Sequence, residues 1–270
     1  MKFYTTNDIK TKEYQEHKVF IMLDDFIEFY DSLSFNVLQF VSQGVLMTFS
    51  LNFESQVFSS FAGTLDSIKL ILKEGHINDA YALLRKYDDG ILTNLYIDCY
   101  IRQNLSLDNF IVEKVNNWAH GIEKFPASNK MIEYIRSYDD LSNLNTMIDF
   151  DGFYKKIRQR CNDNTHFNSI YFMALNDNSV YLENRIRELN QFVLFLRSFF
   201  IFHFVYLFTL NEVYMISSDY MDALDCGMQP EEDSQYWVAS FVQDVFDKYV
   251  KPYRKDLADC LIEKVCMKLN

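Results

Sequence analysis

The stretch RQRCNDNTHFNS, residues 158–169, holds the pair of side chains best suited to chemistry, Arg160 and His166. An arginine presents a fork of donors that matches a phosphate, and a histidine titrates where it can take or give a proton near neutrality. Together they suffice in kind for metal-free RNA cleavage. His166 would take the proton of a 2′-hydroxyl while Arg160 stabilises the charge that builds on phosphorus. Spacing decides whether they can cooperate. On one unbroken helix six residues turn the chain by about 600°, leaving the two side chains about 120° apart. The intervening Asn162-Asp163-Asn164 run favours a turn over a helix interior. The reading therefore ends one helix near Arg160 and caps the next with Asn164 or Thr165, so that both side chains face one cleft. The plain alternative stays open. Arg160 is then a helix C-terminal cation favoured by the helix dipole, and His166 a surface or packing residue.

Other chemistries lack their residues. None of the five histidines (17, 76, 120, 166 and 203) has a Glu three positions before it, so the Glu-x-x-His pattern of di-iron bundles is missing. HExxH and CxxC zinc spacings are absent, and no metal or other cofactor is expected. No GxSxG, GxxxxGK[ST] or GxGxxG occurs, and the seven glycines of the chain do not gather into a phosphate-cradling loop. Asp24, Asp25, Glu28 and Asp31 lie on one helix face and read as a solvated surface. Arg85 and Asp89 are spaced i,i+4. They form either an ion pair that fixes the bundle or, with Asn162, a support that orients the Arg160–His166 cleft. His203, among Phe202, Phe204 and Tyr206, reads as a core histidine with its hydrogen bonds made.

The elements that must position these residues are helices. Gly (7) and Pro (3) are scarce among 270 residues, whereas many-stranded folds need turn residues every few positions. Hydrophobic residues make up 49%, with 25 Phe and 18 Tyr, enough for a continuous core. Apolar spacing predicts helices over 13–51, 54–74 (stopped by Gly75) and from 78 or 79 onward. A further segment from Ser106 ends at Gly121, followed by short irregular pieces over 122–152 with Trp118 as an anchor. Helix resumes near Phe153, breaks at 162–164 and resumes at Thr165. A long segment covers about 180–221, a loop follows at GMQPEED, and a last helical stretch over 236–269 bends at Pro252. One domain over 1–270 is expected.

Residues 192–210 (FVLFLRSFFIFHFVYLFTL) have the length of a membrane span. Arg197 and His203 lie inside it and no basic cluster flanks it, so a buried central helix is the reading and membrane insertion is not expected. The net charge of −12 opposes a general nucleic-acid surface and restricts any RNA contact to a local cleft. Five cysteines, an odd number with no CxxC pair, read as free thiols in a reducing compartment. With the polar N-terminus MKFYTTNDIKTKEYQEH, this points to the cytoplasm.

Arg-x5-His at a helix junction late in an α-helical bundle resembles the Arg-x4–6-His signature of HEPN-domain proteins. Residues 66–96 (DSIKLILKEGHINDAYALLRKYDDGILTNLY) are similar to a helix pair of HEPN-like abortive-infection proteins, here with Leu83-Leu84-Arg85 followed by Asp89. The resemblance covers about residues 14–175 and rests on short motifs. It implies an all-α, antiparallel HEPN-like bundle, with the long apolar helix and a C-terminal helical extension over 176–270. It also implies a homodimer, and a metal-independent endoribonuclease of an abortive-infection or toxin–antitoxin system acting through Arg160 and His166, with Arg85, Asp89 and Asn162 in support. Cys161 departs from the polar residue that often follows the motif arginine. The alternative reading is therefore a catalytically silent module that binds a protein partner, an antitoxin or another defence component.

Overall fold

A computed structural model describes residues 9–41, 53–106, 111–177 and 185–270. The protein is all-α, and no strand occurs among the described residues. Four long helices dominate: α1 (Lys18–Val41), α2 (Phe53–Lys73), α3 (Ile77–Asn104) and a 26-residue helix, Arg185–Leu210. Between α3 and that last helix come α4 (Ser128–Arg136), α5 (Lys155–Thr165) and the short α6 (Ile170–Ala174). The Arg185–Leu210 helix is then α7, and α8 is Lys255–Lys264. The chain forms two compact units, one of Met1–Glu28, Ser60–Gly90 and Ile148–Phe200, the other of Phe29–Ser59, Ile91–Met147 and Ile201–Asn270. This grouping interleaves the chain.

Local sequence accounts for the main boundaries. Helix α2 buries Phe61, Ala62, Leu65, Ile68 and Leu72 at helical spacing. It ends where Gly75 takes φ +82°, a left-handed conformation open to glycine. The amide of His76 then donates to the Ile71 carbonyl (3.0 Å) and that of Gly75 to Leu72 (2.9 Å), which closes a Schellman cap. At the start of α3 the free amide of Asn78 is taken by the side-chain oxygen of Asn176 (2.9 Å). Gly90 permits close packing of α3 on α2, because a Cβ there would lie 2.6 Å from the Phe61 ring.

Several boundaries differ from the sequence reading, among them the helix expected over about 180–221, which ends at Leu210. The chain does not bend through Pro252: a π-helical turn ends at Val250, residues 251–253 form a turn, and α8 begins at Lys255. Proline cannot donate the amide that a continuing helix requires, so the helix stops instead of kinking. Nor does α5 break at 162–164; it runs on to Thr165. The end of the helix expected over 13–51 lies outside the described residues, which leave out 42–52 together with 107–110 and 178–184.

In the second unit Trp118 stacks on Phe125 (centroids 4.8 Å apart), the anchoring role read from its place before the irregular segment. Helix α7 is, among the described residues, the one helix long and apolar enough to cross a membrane, and most of its apolar stretch is buried within the protein. Every residue from Phe199 to Phe208 is buried. His203 lies fully buried on it, with Tyr30 Oη 2.7 Å from Nδ1 and Asn94 Oδ1 2.9 Å from Nε2. Nε2 therefore carries the proton and donates to Asn94, and Nδ1 accepts from Tyr30. Burial lowers the pKa of His203 from 6.5 to about 3. The folded state keeps this ring neutral while the unfolded chain protonates it below 6.5, so stability present above 6.5 is lost as pH falls toward about 3. Urea unfolding of wild type and His203→Gln at pH 7 and pH 5 checks this: the wild type should lose more on acidification than the variant, and equal losses would refute it.

Candidate functional site

Tyr154, Arg158 and Asn162 follow one another at four-residue steps into and along α5, and the packing of the first unit directs this row at α3. On α3 the facing residues are Arg85, Asp88 and Asp89. Arg85 Nη1 lies 2.9 Å from Asp88 and 2.6 Å from Asp89, and its Nε donates to Asn162 Oδ1 (2.9 Å). Arg158 bonds Asp88 through Nη1 and Asp89 through Nη2 (3.2 Å). Tyr154 Oη donates to the other Asp88 oxygen (2.5 Å). Two guanidinium groups thus face two carboxylates in a closed network with no charge left over.

Asp88 is its centre, a side chain with no solvent exposure, whereas that of Asp89 is 42% exposed. Burial raises the Asp88 pKa from 3.8 to about 6, opposed mainly by Arg158, then by the Tyr154 hydrogen bond and Arg85. Three residues assigned to support the cleft (Arg85, Asp89 and Asn162) are therefore together. The carboxylate they surround was missed in the sequence, although Asp88 stands three residues after Arg85, on the same helix face.

Arg160 points elsewhere. Its Nη2 donates to Glu188 Oε2 (2.8 Å), whose second oxygen accepts from Tyr171 Oη (2.5 Å). The guanidinium also lies over the rings of Phe172 (4.6 Å to the centroid), Tyr81 (5.4 Å) and Tyr171 (5.5 Å). The Glu188 side chain is only 5% exposed, so the charge of Arg160 is already matched inside the protein. Its Nε is buried without a hydrogen-bond partner.

His166 caps α5 on its exposed side. Because the helix is unbroken, the separation of about 120° applies, and the structure brings Arg160 to Glu188 instead of to His166. The Asx run continues the helix because each member has a partner. Asn162 accepts from Arg85, and Asp163 accepts from Gln159 (2.8 Å). Asn164 donates to the Arg160 carbonyl (2.8 Å) and accepts from Asn78 (3.0 Å). Asn162 and Asn164 are held by partners on α3, and the bond of Asn164 back to the Arg160 carbonyl follows the helix instead of interrupting it. Cys161 is buried beneath this row, and burial pushes its thiol pKa up, so it is an inert packing residue.

Among the described residues no group of three His, Cys, Asp or Glu is placed to hold a metal ion. On α1, Asp24 instead pairs with Lys69 at 2.5 Å. The second unit carries a groove of about 1050 Å³ walled by Asp31, Phe35, Asp219, Asp222, Phe241 and Asp244, with Asn36 and Ser217 among its other lining residues. Among the described residues no Lys or Arg lines it, and Phe35 is 66% exposed there. No protein-family model, curated protein or solved structure matches the chain.

The closed network makes Asp88 far more sensitive than its neighbour. Removing a buried partner strands charge and costs about 3–5 kcal/mol, whereas an exposed pair contributes at most about 1 kcal/mol. Chemical unfolding should therefore show a large loss for Asp88→Ala and a small one for Asp89→Ala; equal losses would contradict the network.

Proposed function

We propose that the chain is a HEPN-like helical module that works by binding a protein partner, with its Arg160–His166 pair catalytically silent. One observation carries the reading: Arg160 is committed to Glu188 at 2.8 Å while His166 caps the exposed end of the same unbroken helix. For Arg160 to clamp a phosphate it would have to leave a buried carboxylate and three aromatic rings. An incoming phosphate would meet Glu188 at the same place, with like charge opposing it. The net charge of −12 adds a field unfavourable to RNA.

The groove of the second unit supports the binding role. Its carboxylates Asp31, Asp219, Asp222 and Asp244 and its exposed Phe35 offer charge and apolar area together, which suits a basic protein surface with an apolar anchor. An antitoxin or another defence component is the partner class that the HEPN resemblance implies.

Induced expression of wild type, Arg160→Ala and His166→Ala, followed by inspection of cellular RNA, tests this proposal. Intact RNA in all three at equal protein level is the expected result. RNA fragmented by the wild type and spared by both variants would overturn the proposal and make the pair catalytic.

A further inference from the structure

In the second unit two acids meet in the interior. Glu54, in the first turn of α2, is 2% exposed, and Asp98 of α3 is 5% exposed. Their side chains lie within hydrogen-bond reach of each other. Tyr214 Oη donates to Glu54 Oε2, and Asn211 Nδ2 donates to Asp98 Oδ2 (2.9 Å). The cation facing them is Arg102, one turn beyond Asp98 on α3, whose Nη2 donates to the Leu210 carbonyl and to Asn211 Oδ1 (2.9 Å). Among the described residues the other titratable neighbours are Cys99 on α3, next to Asp98, and Tyr138 and Asp140 beyond Arg102. None of these supplies a second positive charge. Two carboxylates and one guanidinium leave one negative charge over, and a carboxyl–carboxyl hydrogen bond needs a proton between its oxygens.

We propose that Glu54 and Asp98 hold one proton between them at neutral pH, and that this proton latches the first turn of α2 to α3 and to the 211–215 turn. Asp98 is the donor. It also accepts from Asn211, and Glu54, accepting from both Asp98 and Tyr214, carries the charge that Arg102 balances. Burial, then the charge of Glu54, raises the pKa of Asp98, and burial raises that of Glu54, in agreement with this assignment. Loss of the proton leaves two charged carboxylates in contact and an uncompensated buried charge, so the latch opens on the alkaline side. The opening reaches the groove. The Tyr214 and Ile216 carbonyls each accept from Asn36 Nδ2 (3.1 Å), and Asn36 lines the groove wall. This inference does not depend on whether the protein binds a partner or cuts RNA.

The sign of the pH effect follows from proton uptake. An ordinary carboxylate in the unfolded chain is deprotonated well below neutrality, and the folded pair keeps its proton. Folding therefore takes up one proton, and stability falls as pH rises toward the folded pKa. Asp98→Asn keeps the geometry, since its amide can donate to Glu54 while its carbonyl accepts from Asn211, and it removes the titrating proton. Urea unfolding of the full chain from pH 6 to pH 9 is the test. The wild-type folding constant should fall by about tenfold per pH unit relative to Asp98→Asn. Hydrogen exchange in the wild type should accelerate with pH beyond the intrinsic rate at residues 57–60 and 214–217, and in Asp98→Asn it should not. Glu54→Gln supplies the second arm if Asp98→Asn folds poorly. Parallel stability profiles for wild type and variant, or exchange at these amides that follows only the intrinsic rate, would overturn the proposal.

Discussion

A carboxylate with no exposure sets the arrangement of the first unit. Asp88 can keep a charge in the interior only where cations and donors are fixed around it, because removing an ion from water costs several kcal/mol. Arg85 sits one turn before it, but that alone leaves its second oxygen and half of its charge unmatched. The chain at 154–162 completes the set with a phenol and a guanidinium, and one four-residue step further the Asn162 oxygen accepts from Arg85 and holds it in place. This requirement fixes which face of α5 meets α3, and the rest of α5 follows. Ile157 and Cys161 are buried, Arg160 turns to Glu188, and Gln159 and Thr165 are left exposed.

The same geometry explains why an Arg-x5-His spacing does not by itself make a site. Proximity in sequence becomes proximity in space only if the backbone turns, and three Asx residues in a row gave good reason to expect a turn. Their tendency to leave a helix comes from side chains that compete for backbone hydrogen bonds. Arg85 and Asn78 engage Asn162 and Asn164 from α3, and with those contacts made the helix is the lower-energy path. That information lies in residues far along the chain, such as Asn78, which is 86 positions from Asn164.

Helical class, the positions of the long helices and the cap at Gly75 were legible because each rests on local spacing or on one residue's backbone freedom. His203 was legible as a satisfied core histidine from its aromatic neighbours, although its partners Tyr30 and Asn94 were not. Part of the candidate site could be read as well. Arg85 with Asp89 is a local pair, visible at i,i+4. Asp88, Arg158 and Glu188 were not visible as partners, because their roles arise from contacts between elements distant in sequence. The stop at Pro252 was misjudged for a different reason. A proline in a helical pattern is compatible with either a kink or an end, and only packing of the following segment selects between them.

Both units carry buried acids, and the way each is balanced separates fixed charge from mobile protons. In the first, two arginines and two aspartates cancel with nothing left over, so Asp88 stays charged near neutrality and the network is a fastener. In the second, two carboxylates share one arginine, and the deficit has to be met by a proton, because among the described residues Arg102 is the cation that faces the pair. A fastener of fixed charges responds weakly to pH until its acids protonate on the acidic side. A pair that depends on a proton fails on the opposite, alkaline side. The count of cations around each buried acid therefore determines at which end of the pH scale each part of the fold gives way.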